Sequence, residues 1–301
     1  MSTASLKTLP ECATPAGGVK APAEAGGDLP VTVIEPRRAW RFVDVAELWK
    51  FRELLAFLVW RDVKVRYKQT VLGAAWAVLQ PLATMLVFTL FLGRVAALPS
   101  DEVPYPLFVF AGLLPWTLFA NAVTSSSQSI VGNQNLVTKV YFPRLIIPAS
   151  AAGVGLVDFG IAFVMLLVMM LGYRVPPGWG VLLVPVLVLS LMVAALGVGA
   201  LLAALTVAYR DFRHAVPFLV QVWMFATACI YMRADAVVGP RWQAVLPLNP
   251  AYGLVGNFRQ AVTGRPLDLY SLAVSGAVSL ALLVAGCMYF RRVERTFADI
   301  I

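Results

Sequence analysis

Residues 103–138, VPYPLFVFAGLLPWTLFANAVTSSSQSIVGNQNLVT, run for 36 positions without a charged side chain. A helix rises about 1.5 Å per residue, so roughly 20 residues cross a hydrocarbon core of about 30 Å. This stretch is therefore long enough to span a lipid bilayer, and it indicates a membrane protein.

Five further stretches share this property. Charge-free runs cover residues 69–93, 175–209, 215–232 and 269–290, and residues 145–173 are interrupted only by Asp158. A charged side chain at mid-bilayer is costly enough to be rare, so runs without one predict spans. We predict an all-α membrane protein with six transmembrane helices, at residues 71–92, 107–128, 147–171, 181–207, 215–232 and 269–290.

The composition and the charge distribution agree with this class. The 301 residues are 60% hydrophobic and 13% charged, with a mean hydropathy of +0.79, which excludes a water-soluble enzyme. Lys and Arg number 18 in the alternate segments that include both termini and 6 in the others. By the positive-inside bias both termini are predicted to be cytoplasmic. The net charge of +8 therefore reports topology and contact with anionic membrane lipids, and no nucleic-acid partner is expected.

The chain ahead of the first span divides into two parts. Residues 1–36, rich in Ala, Gly, Pro and Thr, predict a disordered cytoplasmic tail without the apolar run of a signal peptide. Residues 37–68 predict an amphipathic interface helix, opened by a capping box at Asp44 and Glu47. Its apolar residues at helical spacing are expected to lie in the acyl boundary of the cytoplasmic leaflet; they are Leu48, Phe51, Leu55 and Leu58. An acid within its run of cations, Asp62, points to a protein partner as well as lipid.

Several ordered motifs carry a family resemblance. The stretch WRDVKVRYKQTVLGAAWAVLQPL (60–82) is followed by FAGLLPWTLFANAVTSSSQSIVGNQNLVTKVYFPRLIIP (110–148) and YRDFRHAVPFLVQVWMFATACIY (209–231). LNPAYGLVGNFRQAVTG (248–264) and YFRRVERTFADII (289–301) complete the series. Together they resemble the membrane subunit of ABC-2 type exporters, in the polysaccharide group that exports O-antigen, capsule or teichoic acid.

The resemblance implies that energy comes from another chain. The sequence contains no G-x-x-x-x-G-K-[ST] phosphate cradle and no Gly-Lys pair. We therefore expect a transport subunit that is not an enzyme and binds no cofactor or metal itself. The family implies a homodimer with two copies of a cytoplasmic ATP-binding subunit, which would hold ATP and Mg.

Short cytoplasmic segments are the candidates for contact with that ATPase. The KVYFPR loop is similar to the coupling helix of the family, and Tyr141 and Phe142 stand out as apolar residues in a polar loop. The alternative is that the cations here serve only the positive-inside bias. The predicted ATPase contacts are Arg61, Asp62, Arg66, Tyr67, Lys139, Tyr141, Phe142, Pro143, Arg144, Arg210 and Asp211.

A polar cargo needs a polar route through hydrocarbon, because each unpaired polar group there costs on the order of several kcal/mol. Hydroxyl and amide residues next to aromatic rings in the second span could line a corridor between two subunits. Alternatively, the Ser and Thr residues there join helices to one another. The predicted substrate pathway consists of Trp76, Trp116, Phe119, Asn121, Thr124, Ser125 and Gln128.

The segment 233–266 is too long for a turn and contains Pro240, Pro247 and Pro250 within it. It predicts short helices in the last extracytoplasmic loop, covered by neighbouring protein. The resemblance implies a periplasmic gate there, and its arginines could meet acidic sugars or lipid phosphates. The predicted gate residues are Arg233, Arg241, Asn249, Pro250 and Arg259.

The prediction is a permease subunit for lipid-linked polysaccharide of the O-antigen or capsular type, in the bacterial inner membrane. The same motifs are compatible with an ABC-2 exporter of teichoic acid, a glycolipid or a drug. An ion-coupled carrier would be expected to bury several ionisable groups, whereas Asp158 is the one acid within a predicted span. Asp158 either pairs with a cation or lies in a wet cavity.

Overall fold

The computed structural model describes residues 49–68, 73, 75–91, 103–140, 142–227, 244–294 and 297, all of which belong to the unit Arg38–Ile301. The regular structure of these residues is helical throughout and includes no strand, which confirms the all-α class. The predictions for the tail 1–36, for the capping box at Asp44 and Glu47, for Leu48, for Tyr141, and for Arg233 and Arg241 lie outside the described residues.

The described helices follow in the order α1 Arg52–Tyr67, α2 Ala75–Phe88, α3 Tyr105–Gly132, α4 Gln134–Lys139, α5 Ile146–Gly172, α6 Val184–Ala208, α7 Phe212–Ala226, α8 Pro250–Thr263 and α9 Leu269–Val293. Two 3₁₀ turns precede helices, Trp179–Leu183 before α6 and Leu246–Leu248 before α8.

Four of these helical segments are long and apolar enough to cross a membrane: Tyr105–Gly132, Ile146–Gly172, Trp179–Ala208 and Leu269–Val293. They correspond to four of the six predicted spans. The helix Ala75–Phe91 is apolar but shorter, and α7 has 15 residues. Both border on residues outside the described ranges, so the count of six stays a prediction.

Helix α3 lies at the centre of the bundle and contacts α2, α5, α6, α7 and α8. Its apolar side chains, including Phe110 and Phe119, form the main buried cluster with residues of α5, α6 and α8. Helices α6 and α9 approach closely because glycines meet where they touch. A Cβ on Gly286 would lie 2.0 Å from the backbone oxygen of Gly197, so small residues set this packing distance.

Helix α8 is a short helix packed against the bundle. Asn249 caps its first turn by accepting a hydrogen bond from the Ala251 N–H, and Pro250 occupies the first helical position, where no amide hydrogen is needed. The helix ends at Gly264, whose φ of 74° lies in the left-handed region. The structure therefore has short helices in the segment where the sequence predicts them.

Helix α1 does not use its apolar residues as predicted. Leu58 is buried, and Phe51 and Leu55 pack with it against a second cluster, hereafter the end cluster, built from the C-terminal ends of α3, α6 and α9 and the start of α5. Large apolar side chains on another face of α1, including Phe57 and Trp60, are exposed instead. The expected burial of the Phe51–Leu55–Leu58 stripe in lipid was wrong because α1 is apolar on more than one face. Its place at a membrane surface stays a prediction.

Candidate functional site

Helix α1 runs beside α3 and α5 and is joined to both by polar contacts. Arg61 Nη2 donates a hydrogen bond of 2.9 Å to Asn133 Oδ1, at the C-terminal end of α3. Further along α1, Arg66 Nη1 lies 2.9 Å from Asp158 Oδ2, and the Tyr67 hydroxyl donates to the other oxygen of the same carboxylate. Asp158 stands near the middle of α5. The last turn of α1 therefore reaches the middle of a candidate spanning helix.

The contact with Asp158 also affects the chemistry of Tyr67. Partial burial, followed by the hydrogen bond to Asp158, raises the pKa of the Tyr67 phenol to about 12. The phenol thus keeps its proton and remains a hydrogen-bond donor at physiological pH.

A cavity of about 170 Å³ lies at this junction, between α1, α2, α3 and α5. It brings together residues that the sequence assigns to two different roles, ATPase contact and substrate pathway. Its polar and aromatic lining consists of Arg66, Tyr67, Trp76, Gln80, Thr117, Asn121, Asp158 and Phe159. Gln80 is not among the residues predicted from the sequence, because only its polarity within a charge-free run distinguishes it.

A second, more open cavity of about 480 Å³ continues toward the C-terminal end of α3. Arg66 lines both cavities, so they adjoin. The polar lining of the second cavity consists of Arg61, Asp62, Arg66, Ser125, Gln128, Ser129 and Asn133. We call the two cavities together the polar lane.

One face of α3 forms the wall of the polar lane. Asn121, Ser125 and Gln128 are spaced four and three residues apart and therefore share a face of the helix. Thr124 falls on the same face and is half-buried. The four predicted pathway residues of this set lie together, opposite the charged residues of α1.

Other hydroxyls of the same run are buried and bond to backbone carbonyls, one of them in a neighbouring helix. Ser126 is buried and donates a hydrogen bond of 2.8 Å to the Pro148 carbonyl of α5, and buried Ser127 donates to the Thr124 carbonyl within α3. The helix-joining interpretation therefore holds for Ser126, and the corridor stays a prediction for the face that carries Asn121, Ser125 and Gln128.

The structure does not bring Trp116 and Phe119 to the polar lane. Both rings are buried in the main cluster, where Phe119 packs edge-on against Trp223 with ring centroids 5.1 Å apart. At 100° per residue these two positions point away from Asn121 and Ser125. Trp76, in contrast, lines the first cavity and is 57% exposed.

The loop after α4 packs against other parts of the same chain. Phe142 is only 7% exposed and belongs to the end cluster with Leu58 and Phe290. Arg144 donates a hydrogen bond to the Glu294 carbonyl beyond α9. The expected exposure of Phe142 as an apolar contact was wrong, because sequence shows an apolar residue in a polar loop but not what covers it.

The remaining predicted ATPase contacts are more accessible. Lys139 is exposed at the end of α4, and Pro143 is half-buried. Arg210 and Asp211 are exposed in the turn between α6 and α7. An open cavity of about 410 Å³ lies at this turn and is lined by Arg210, Arg213, His214, Gln134, Val131, Thr206 and Val207.

The predicted gate residues connect helices. Asn249 accepts a hydrogen bond of 2.9 Å from Trp223 Nε1 of α7 and donates one of 3.2 Å to the Thr227 hydroxyl. Pro250 is buried at the start of α8. The Arg259 guanidinium carbon lies 3.7 Å from the centre of the Phe108 ring, a cation–π distance. These contacts hold α8 against α7 and α3.

Comparison with known proteins agrees with this architecture. The sequence model of the family described as ABC-2 type transporter matches residues 53–262. The O-antigen export system permease protein RfbA of Myxococcus xanthus is 34% identical over 257 residues, 85% of this chain and 98% of that protein. The protein of the same name from Klebsiella pneumoniae is 24% identical over 83% of the chain and 95% of its own length. The polysialic acid transport protein KpsM of Escherichia coli is 25% identical over 78% of the chain and 91% of its own length. The bundle of apolar helices and the match across most of its length show that this chain belongs to the ABC-2 type transporter family.

Proposed function

We propose that the chain is the permease subunit of an ATP-driven exporter that moves lipid-linked polysaccharide, of O-antigen or capsular type, across the bacterial inner membrane. The family membership supports the transport class. The names of the relatives, which refer to O-antigen export and polysialic acid transport, support the cargo class.

The polar lane is the observation that carries the proposal. A polysaccharide presents many hydroxyl groups, and each needs a hydrogen-bond partner when it leaves water. The amides of Asn121 and Gln128 both donate and accept, and the Ser125 hydroxyl does the same. The indole of Trp76 offers an exposed aromatic surface for the apolar face of a sugar ring.

The size of the first cavity favours a polymer handled in small units. Complete sites for drug-sized ligands measure roughly 300–1,000 Å³, whereas this cavity measures about 170 Å³. A space of this size fits one unit of a chain better than a whole compact ligand. A dimer of this chain would place two such lanes in one assembly.

Work would come from two ATP-binding subunits, which bind ATP and Mg, and this chain would bind no cofactor. We place their contact on the exposed residues Lys139, Arg210 and Asp211. A push on the loop after α4 would be passed on by Phe142, which packs with Leu58 of α1, and by Arg144, which contacts the chain after α9. The ATPase would thus move α1, and with it one wall of the polar lane. Both termini would be cytoplasmic, and the exposed apolar residues would contact membrane lipids.

Deletion of the gene tests the function. We expect lipid-linked glycan to accumulate on the cytosolic face of the membrane and to disappear from the cell surface, with recovery when the gene is restored. Mass spectrometry of the accumulated lipid identifies the cargo and separates polysaccharide from teichoic acid or another glycolipid. Co-purification of an ATP-binding subunit with the tagged chain tests the partner. Normal surface glycan in the deletion strain would refute the proposal.

A matched pair of variants tests the polar lane itself. Gln128→Leu removes an amide that lines the lane and should lower export several-fold. Ser127→Ala removes a buried hydroxyl of the same helix that donates within α3, so export should stay near normal. Equal export by the two variants would count against this route.

A further inference from the structure

We infer that Asp158 is a latch: it holds the end of α1 on α5 while the first cavity is empty, and releases it when hydroxyl groups of a sugar unit replace Arg66 and Tyr67 as its partners. The inference rests on the proposed function, since it takes a unit of the exported polysaccharide as the ligand.

Asp158 requires partners in every state of the protein. It lies near the middle of α5, a candidate spanning helix, where an unpaired carboxylate is costly. Only 14% of its side-chain surface is exposed, and its two oxygens contact Tyr67 and Arg66 respectively. Both of these partners belong to α1. Any movement of α1 away from α5 must therefore supply other hydrogen-bond donors to this carboxylate.

The C-terminal end of α1 is less buried than Asp158 is. No residue of α1 after Leu58 is fully buried, and segments with little burial open most easily. The Arg66 side chain is 43% exposed, so water or a lipid headgroup can solvate its guanidinium after release. Arg66 can therefore leave the ion pair and be solvated, whereas Asp158 stays within α5 and needs other hydrogen-bond donors at its own position.

The cavity offers a place for that replacement. Sugar hydroxyls are neutral donors that suit a carboxylate, and the amides of Gln80 and Asn121 can take further hydroxyls. Trp76 lines the same space and presents its ring to it. Because Tyr67 and Arg66 occupy the two oxygens of Asp158, a sugar unit can bond to that carboxylate only when α1 moves outward. Entry of the sugar and release of α1 are then one event.

Release of α1 also affects the loop after α4. Leu58 of α1 and Phe142 of that loop belong to the same end cluster. A ligand that favours the released position of α1 shifts the population of that position by its difference in affinity for the two states. Binding of a sugar unit in the cavity would in this way change the position of the loop after α4, on the surface proposed to contact the ATPase.

A reversible cross-link tests whether α1 separates from α5. A Cβ placed on Gly153 of α5 lies 3.9 Å from the Cβ of Val59 on α1, within the range for a disulfide. The variant Val59→Cys/Gly153→Cys is made in a chain whose cysteines, Cys12, Cys229 and Cys287, are replaced by Ser. Oxidation should abolish export, and reductant should restore it. The two single-cysteine variants, oxidised in the same way, should export normally. Undiminished export by the cross-linked protein would overturn the latch.

The rate of cross-linking tests whether the cargo opens the latch. Membranes come from cells that make the lipid-linked glycan and from cells that lack the first glycosyltransferase of its synthesis. Cargo should slow disulfide formation several-fold, and Asp158→Asn should remove that difference. Equal rates with and without cargo in the otherwise unchanged protein would overturn the inference.

A single variant gives an independent readout if the cysteine pair lowers the amount of folded protein. Val59→Cys replaces a half-buried side chain, and a water-soluble maleimide should label it several-fold faster when cargo is present. Cargo-independent labelling would overturn the latch. These rates are read without an export assay, whereas normal surface glycan after gene deletion would refute the exporter function itself, so the two failures are distinguishable.

Discussion

Replacement of Phe142 decides whether the loop after α4 is a free contact surface or is packed against the rest of the chain. Phe142→Ala removes a ring that is 7% exposed and packs in the end cluster with Leu58 of α1 and Phe290 of α9. Truncating a buried Phe to Ala costs about 3–5 kcal/mol. The end cluster lies at the edge of the bundle, so we expect a loss of about 3 kcal/mol in the free energy of unfolding, the lower end of that range. At 2–4 °C per kcal/mol the Tm should fall by roughly 6–12 °C.

The assay is thermal unfolding of the purified protein in detergent, followed by tryptophan fluorescence, with export and ATPase co-purification measured in parallel. Phe142→Leu keeps most of the apolar contact and should recover much of the lost stability. Lys139→Ala is the matched control in the same segment. Since Lys139 is exposed, this change should alter the free energy of unfolding by less than about 0.5 kcal/mol while weakening recovery of the ATP-binding subunit.

The reasoning fails if the Phe142→Ala protein unfolds at the unchanged temperature and yet no longer co-purifies with the ATPase. That result would mean that the ring is exposed and contacts the partner directly. A parallel fall in stability, export and co-purification supports a packed ring that passes motion from the loop to α1.

Three further outcomes follow from single contacts. Gly286→Ala should disrupt the packing of α6 on α9 and lower the yield of folded protein, because its Cβ would lie 2.0 Å from a backbone oxygen of α6. The control Gly276→Ala should be tolerated, because its Cβ meets nothing within 4 Å. Size-exclusion profiles in detergent compare the two variants. Asn249→Ala should lower the free energy of unfolding by about 1 kcal/mol or more, because it removes a helix cap and also the acceptor for the Trp223 N–H. Asn249→Asp keeps that acceptor and should lose less stability. Thermal unfolding measures both variants. The pKa of Tyr67 is raised to about 12, so its contribution to stability is complete below pH 10 and is lost as the pH rises through 12. In an ultraviolet titration, Tyr67→Phe should lack one late-ionising phenol that the unchanged protein has. Identical late ionisation in the two proteins would refute the contact with Asp158.

Four candidate spans and the family could be predicted from the sequence, because charge-free runs and ordered motifs are both properties of the linear chain. Runs without charge report the thickness of the bilayer, and residues 103–138 and 269–290 correspond to α3 and α9. The motif order from residue 60 onward indicates the family that the match over residues 53–262 shows. Asn121, Ser125 and Gln128, chosen from the sequence for their polarity in a charge-free run, share one helical face and line the polar lane; their role in transport stays a prediction.

What tertiary structure alone decided is which surface each of these residues meets. The sequence marked Asp158 as a lone acid in a span, but its partners, Arg66 and Tyr67, lie more than 90 positions earlier in the chain. It likewise marked Phe142 as an apolar residue in a loop, and the fold covers it with helices that begin before and after it. Hydrophobicity and spacing act along one helix, whereas burial and ion pairing depend on which helices pack together, and that arrangement is a property of the whole bundle.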